Sequence, residues 1–307
     1  MTDPKPPTPH AEALAKQLQE SLAKRRPRTW KPVLALLAGC TLFLALFAWW
    51  MYPRPAMPLL QIIALDSVFT PDETPIARVQ LFPSPEVEKP RHLSGQSVWF
   101  QGSQFLQAGM KSAELVVKSD EKGQATAELS IEPNQAMAEF LARHFDASRR
   151  LQMSPTENGR VFVWPKEAKL LIVDVDATLM AKPLDAKAAE VLQPAAEKGW
   201  RIVYLAVTGA RAEDLRQSRE WLETQPSLPI GPVLGRGNYP SDDAMDQARR
   251  DVLKSLHSRF TGSKAVIVQS AEAAQVCRGI GLPTIWIGKA DAPEGVPSWA
   301  EVPAKLK

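Results

Sequence analysis

Two aspartates one residue apart, Asp174 and Asp176, close an apolar run that begins at Leu170, and Thr178 follows two positions later. A continuous apolar run of this kind reads as a parallel strand buried on both faces. The carboxyl end of such a strand is where an open α/β sheet presents its chemistry. Two carboxylates at this spacing can supply a nucleophile and a proton shuttle, and can also hold a metal ion. The chemistry they suit is phosphoryl transfer, in which Mg²⁺ lowers the repulsion between a carboxylate and an incoming phosphate.

The elements that must position these residues alternate. Strands are expected over 169–175, 201–207, 265–269 and 284–287. Helices are expected over 185–199, 211–224, 241–259 and 271–279. This is the pattern of a doubly wound parallel sheet, an α/β domain over 168–288. The remainder, 289–307, is charged and rich in Pro and reads as a loosely packed tail.

The 307 residues carry a net charge of only +3, so nothing global points to nucleic acid. Cys40 and Cys277 are the two cysteines, too few for a disulfide framework or a thiolate metal site. Residues 33–52 hold no charge and match the ~20 residues needed to cross a bilayer. A single transmembrane helix over 32–52 is therefore expected. Lys24, Arg25, Arg26, Arg28 and Lys31 precede it. They place a basic tail, 1–31, in the cytoplasm and the rest beyond the membrane, which in a bacterial inner membrane is the periplasm. From 58 to 135 short alternating runs separated by turn signals read as a small Ig-like β-sandwich. Residues 136–167 read as a connecting helix, 136–149, and a hairpin turning at Asn158-Gly159.

The motif Asp174-x-Asp176-x-Thr178 resembles motif I of the haloacid dehalogenase superfamily. The segment from Tyr204 to Pro232 resembles its lipin-like branch, which includes an actin-patch phosphatidate phosphatase, through Tyr204, Leu205, Arg211, Trp221, Leu222, Leu228, Pro229, Gly231 and Pro232. The resemblance covers about 120 residues. It implies a haloacid-dehalogenase-like sheet in which Asp174 is nucleophile and metal ligand and Asp176 is general acid/base and ligand. Thr208, Gly209 and Arg211 would bind phosphate. A basic residue of the 241–259 helix would steady the phosphoaspartate: of Arg249, Arg250 and Lys254, spacing back from Phe260 favours Arg250 and residue type favours Lys254.

The chain departs from the family after 265–268, where an acidic Mg²⁺ ligand should stand and Gln269-Ser270-Ala271-Glu272 occurs instead. Glu272 is the only carboxylate near, two residues out of register. The resemblance thus implies an anchored, Mg²⁺-dependent phosphomonoester hydrolase, with a bilayer and a phosphorylated lipid such as phosphatidate, or a small phosphomonoester, as partners. The missing acid supports the alternative, a catalytically impaired module binding lipid or protein in the cell envelope. Retention of Asp174, Asp176 and Thr208 tips the balance toward activity.

Overall fold

The computed structural model describes residues 9–24, 31–51, 60–83, 92–107, 109–146, 152–175, 186–207, 212–235 and 241–306. The chain divides into two compact units, Met1–Met57 and Pro58–Lys307. The first contains helices α1, Pro9–Lys24, and α2, Lys31–Met51. Leu14, Leu18 and Leu22 of α1 all face solvent. Among the described residues no helix is long and apolar enough to cross a membrane. The uncharged run of 33–52 falls largely in α2. The expected transmembrane anchor, and the placement of the two ends of the chain that depends on it, are corrected accordingly.

In the second unit, β1 (Leu60–Leu65), β3 (Ile76–Pro83) and β6 (Gln124–Glu128) form one antiparallel sheet, in the order β1-β3-β6. A second sheet contains β2 (Ser67–Phe69), β4 (Ser97–Gln107), β5 (Met110–Lys118), β7 (Met137–Asp146), β8 (Gln152–Met153) and β9 (Glu157–Val163). Its order is β2-β9-β7-β4-β5, with β8 on β7, and β2 pairs parallel to β9. The two sheets share a core that includes Ile62, Leu81, Phe100, Phe105 and Phe140.

Of the helix expected over 136–149, Met137–Asp146 is instead strand β7, and 147–149 lie outside the described residues. The residues of β7 favour helix one by one, but Ala138, Phe140, Ala142 and His144 are buried while Glu139 and Leu141 face out, and burial at every second position is a strand's period. Asn158-Gly159 lies inside β9 rather than at a hairpin turn. A Cβ at Gly159 would overlap the Phe140 ring, so the glycine gives that ring its place in the core.

The third sheet is wholly parallel: β12-β11-β10-β13-β14-β15. Its strands are β10 (Lys169–Asp174), β11 (Trp200–Leu205), β12 (Val233–Leu234), β13 (Lys264–Val268), β14 (Thr284–Ile287) and β15 (Gly295–Val296). Helices α3 (Ala186–Glu197), α4 (Ala212–Glu223), α5 (Asp242–Arg259), α6 (Ala271–Ile280) and α7 (Val302–Lys305) surround it. Alternate strand residues feed two cores. Leu171, Val173, Ile202 and Ile267 meet α3 and α7, while Leu170, Ile172, Val203 and Val266 meet α5 and α6. The segment expected to be a loose tail supplies β15 and the buried Val296, Trp299 and Val302, so 289–307 completes a core.

The β-sandwich and the parallel sheet are built into each other. In β1, Ile62 and Ala64 point into the sandwich while Ile63 and Leu65 join the core around α3. A strand with a core on each side is apolar at nearly every position, as Leu60–Leu65 is. Polar groups reinforce the junction. The buried Arg219 guanidinium donates to the carbonyls of Ala64 and Asn158, each at 2.8 Å, and to Asp66 at 3.2 Å. Asp66 also accepts the backbone N–H of Arg160 at 3.0 Å and of Val233 at 2.9 Å.

Candidate functional site

Strand β10 is central in the parallel sheet. The chain winds from it through β11 to β12 on one side, and then crosses to β13, β14 and β15 on the other. The strand order therefore reverses between β10 and β13, and open α/β sheets bind ligands in the crevice at the carboxyl ends of the strands flanking such a reversal. Asp174, the last residue of β10, stands there with its side chain only 1 % exposed.

The group that meets it is Arg249 of α5, whose Nη2 is 3.6 Å from Asp174 Oδ2. Arg249 is held from its own helix by Asp246, Nη1 to Oδ1 at 2.7 Å. Its Nε is buried without a hydrogen-bond partner among the described residues. Helix α5 starts cleanly because the Ser241 side chain accepts the N–H of Ala244. Its buried stripe runs Arg249, Leu253, Leu256, Phe260, at intervals of three and four. Arg249 is thus the stripe's charged end, carried to the strand terminus by its apolar neighbours.

Of the other residues with proposed roles, Arg250 and Lys254 lie off that stripe. Arg250 is half-buried and bonds Gln247, and Lys254 is exposed. Neither forms an ion pair with Asp174 among the described residues. Counting back in helical steps from Phe260 through Leu256 and Leu253 reaches 249, and that was the signal for the basic residue here. Asp176, Thr208, Gly209 and Arg211 lie outside the described residues. Glu272 is exposed in the first turn of α6. Ser270, where an acidic ligand was expected, caps that helix by accepting the N–H of Ala273 at 3.1 Å. Cys277, on the buried face of α6, is close enough to feel both charges of the pair. Burial pushes its thiol up to about 11, Arg249 and a hydrogen bond to Thr284 oppose the rise, and Asp174 adds to it.

Among the described residues no group of three His, Cys, Asp or Glu could hold a metal ion by itself. Asp174, Asp246 and Arg249 together carry a net charge of −1. An oxyanion that reaches Arg249 comes close to Asp174, whose charge a bound cation would offset.

No protein-family model and no curated protein matches this chain. Solved structures match distantly. A 2,6-sialyltransferase from the Vibrionaceae bacterium Photobacterium sp. is 9% identical over 74% of this chain and 42% of its own, with a TM-score of 0.23. A family 123 glycoside hydrolase from Clostridium perfringens is 7% identical over 72% and 61%, with a TM-score of 0.20. A GH5 xyloglucanase from Bacteroides ovatus is 9% identical over 74% and 65%, also at 0.20. The chain thus spans less than two thirds of the length of each. At these TM-scores the matches carry no argument about activity.

The expectation of a haloacid-dehalogenase-like fold, and of an anchored phosphomonoester hydrolase or its impaired envelope-bound counterpart, is corrected: no family model matches the chain, and no helix among the described residues can cross a membrane.

Proposed function

We propose that this chain binds a small ligand at the reversal between β10 and β13, and that the ligand's oxyanion arrives together with a divalent cation. The observation that carries this reading is the burial of Asp174 and Arg249, 1 % and 5 % exposed in their side chains, at the strand ends where such sheets take ligands. Mg²⁺ fits the donor present. It keeps several waters and is usually held by one or two carboxylates plus the ligand's own phosphate oxygens. Asp174 would hold it, and it would supply the positive charge that lets an oxyanion approach. Arg249, fixed by Asp246, would meet the oxyanion through its unpartnered Nε. The amino end of α6 beside the site favours negative charge as well.

The test is calorimetric titration of the full chain with Mg²⁺ alone, inorganic phosphate alone, and phosphate in the presence of Mg²⁺. Phosphate is expected to bind measurably only with Mg²⁺ present, and Asp174→Asn is expected to remove that dependence. Phosphate binding with equal affinity in both conditions, or no binding in either, would contradict the reading and leave the pair a tie between α5 and the sheet.

A further inference from the structure

A cavity opens where the β-sandwich meets α5, and neither Asp174 nor Arg249 is among its lining residues. It has a volume of about 480 Å³, within the range of small-molecule sites. Helix α5 presents one face to it, positions 244 to 259 at intervals of three and four, and β2 and the end of β12 form the opposite wall. Val68, Phe69, Leu234, Ala248 and Val252 make much of the lining apolar.

The charge at one end is unbalanced. Arg259 and Arg78 both lie against the ring of Phe69, at 5.4 and 5.9 Å from its centroid. Arg259 is satisfied, since it donates to the Glu73 carboxylate and to the carbonyl of Val68. Arg78 has neither a hydrogen bond nor an ion pair among the described residues, and its one contact of this kind is the Phe69 ring. Two guanidinium groups are thus held around one ring with one carboxylate between them. Desolvation and the neighbouring charge of Arg259 both press the Arg78 guanidinium below its ordinary range. Asp251, the other charge of α5 on this cavity, bonds Gln247 at 2.8 Å and lies about 12 Å along the helix axis from Arg259. Asp66 is consumed by Arg219 and two backbone N–H groups.

We propose that this cavity binds an amphipathic monoanion, a carboxylate on an apolar body, with the carboxylate on Arg78 and the body against Phe69 and the small-residue face of α5. A guanidinium fork suits a carboxylate, and the Glu73 carboxylate that Arg78 also feels is hydrogen-bonded to Arg259. The apolar part of the wall, Ala244, Ala248 and Val252, accepts a chain or ring, while Gln247, Asp251 and Ser255 of the same helix share the lining.

The experiment titrates the full chain with decanoate below its micellar concentration, with acetate, and with decanol, reading heat or thermal midpoint. Saturable decanoate binding is expected, with acetate and decanol at least tenfold weaker. Arg78→Ala, a change at a side chain without hydrogen-bond partners among the described residues, should weaken decanoate by about tenfold, the value of one charge-assisted contact. Ala248→Phe, which fills the cavity, should abolish binding, while Asp174→Asn should leave it unchanged. Decanol binding as tightly as decanoate, unchanged decanoate affinity in Arg78→Ala, or no saturable binding would each overturn the proposal. Loss in Asp174→Asn would assign the anion to the other site.

Discussion

Replacing Arg219 by Met removes a guanidinium whose hydrogen bonds run to Ala64, Asn158 and Asp66 and leaves the Asp66 side chain, only 1 % exposed, as a buried charge without its cation. The methionine keeps most of the side-chain volume, so the loss is electrostatic rather than a cavity. Breaking a buried pair in this way costs about 3–5 kcal/mol. For a unit of this size, each kcal/mol shifts the thermal midpoint by about 2–4 °C, so a fall of roughly 6–20 °C is expected. Urea unfolding followed by tryptophan fluorescence gives the free energy directly. Adding Asp66→Asn to Arg219→Met should recover about 1–2 kcal/mol, because the amide still accepts a backbone N–H and no longer buries a charge. A loss under 1 kcal/mol for Arg219→Met, or a double variant weaker than the single, would refute the view that this pair holds the β-sandwich to the parallel sheet.

Two other outcomes follow from the titratable groups. Burial draws the Glu73 carboxyl upward, but hydrogen bonds from Arg259 and Thr70 outweigh it and hold the group below its ordinary 4.5. Its contribution to stability is therefore present above that value and lost as pH falls through the lower folded value. The stability gap between the wild type and Glu73→Gln should accordingly be widest near pH 6 and close on acidification, and a gap independent of pH would contradict the assignment. Cys277 is buried with its thiol pushed up to about 11, whereas Cys40 is exposed. A thiol reagent at pH 8 should label one cysteine rapidly in the native protein and the second only on unfolding. Rapid labelling of both would show that the face of α6 opens.

The legible parts of this fold were those set by local pattern. The run from Leu170 to Val173 announced a doubly covered strand with Asp174 at its end, because both follow from periodicity and position. Residues 136–149 were not legible, since Ala, Glu, Leu and Arg favour helix singly. What overrides that preference is a period of two set by the sheets on either side of Phe140. Arg249 was within reach of the sequence, through the helical steps that end at Phe260. Asp66 and Arg219 were beyond it, because their burial comes from the meeting of β1, β9, β12 and α4 and has no local trace. The apolar run near the amino end shows the reverse error, in which composition alone suggested a membrane span that no described helix provides.

The central claim is that Asp174 and Arg249 form one ligand site in which cation and oxyanion bind together. It is tested most directly by the thermal midpoint of the full chain in a matrix of Mg²⁺ and phosphate concentrations, with Asp174→Asn beside it. Coupled binding predicts that the two together raise the midpoint by more than the sum of their separate effects, and that the excess disappears in Asp174→Asn. Strictly additive effects in the wild type, or an excess that survives in Asp174→Asn, would contradict it.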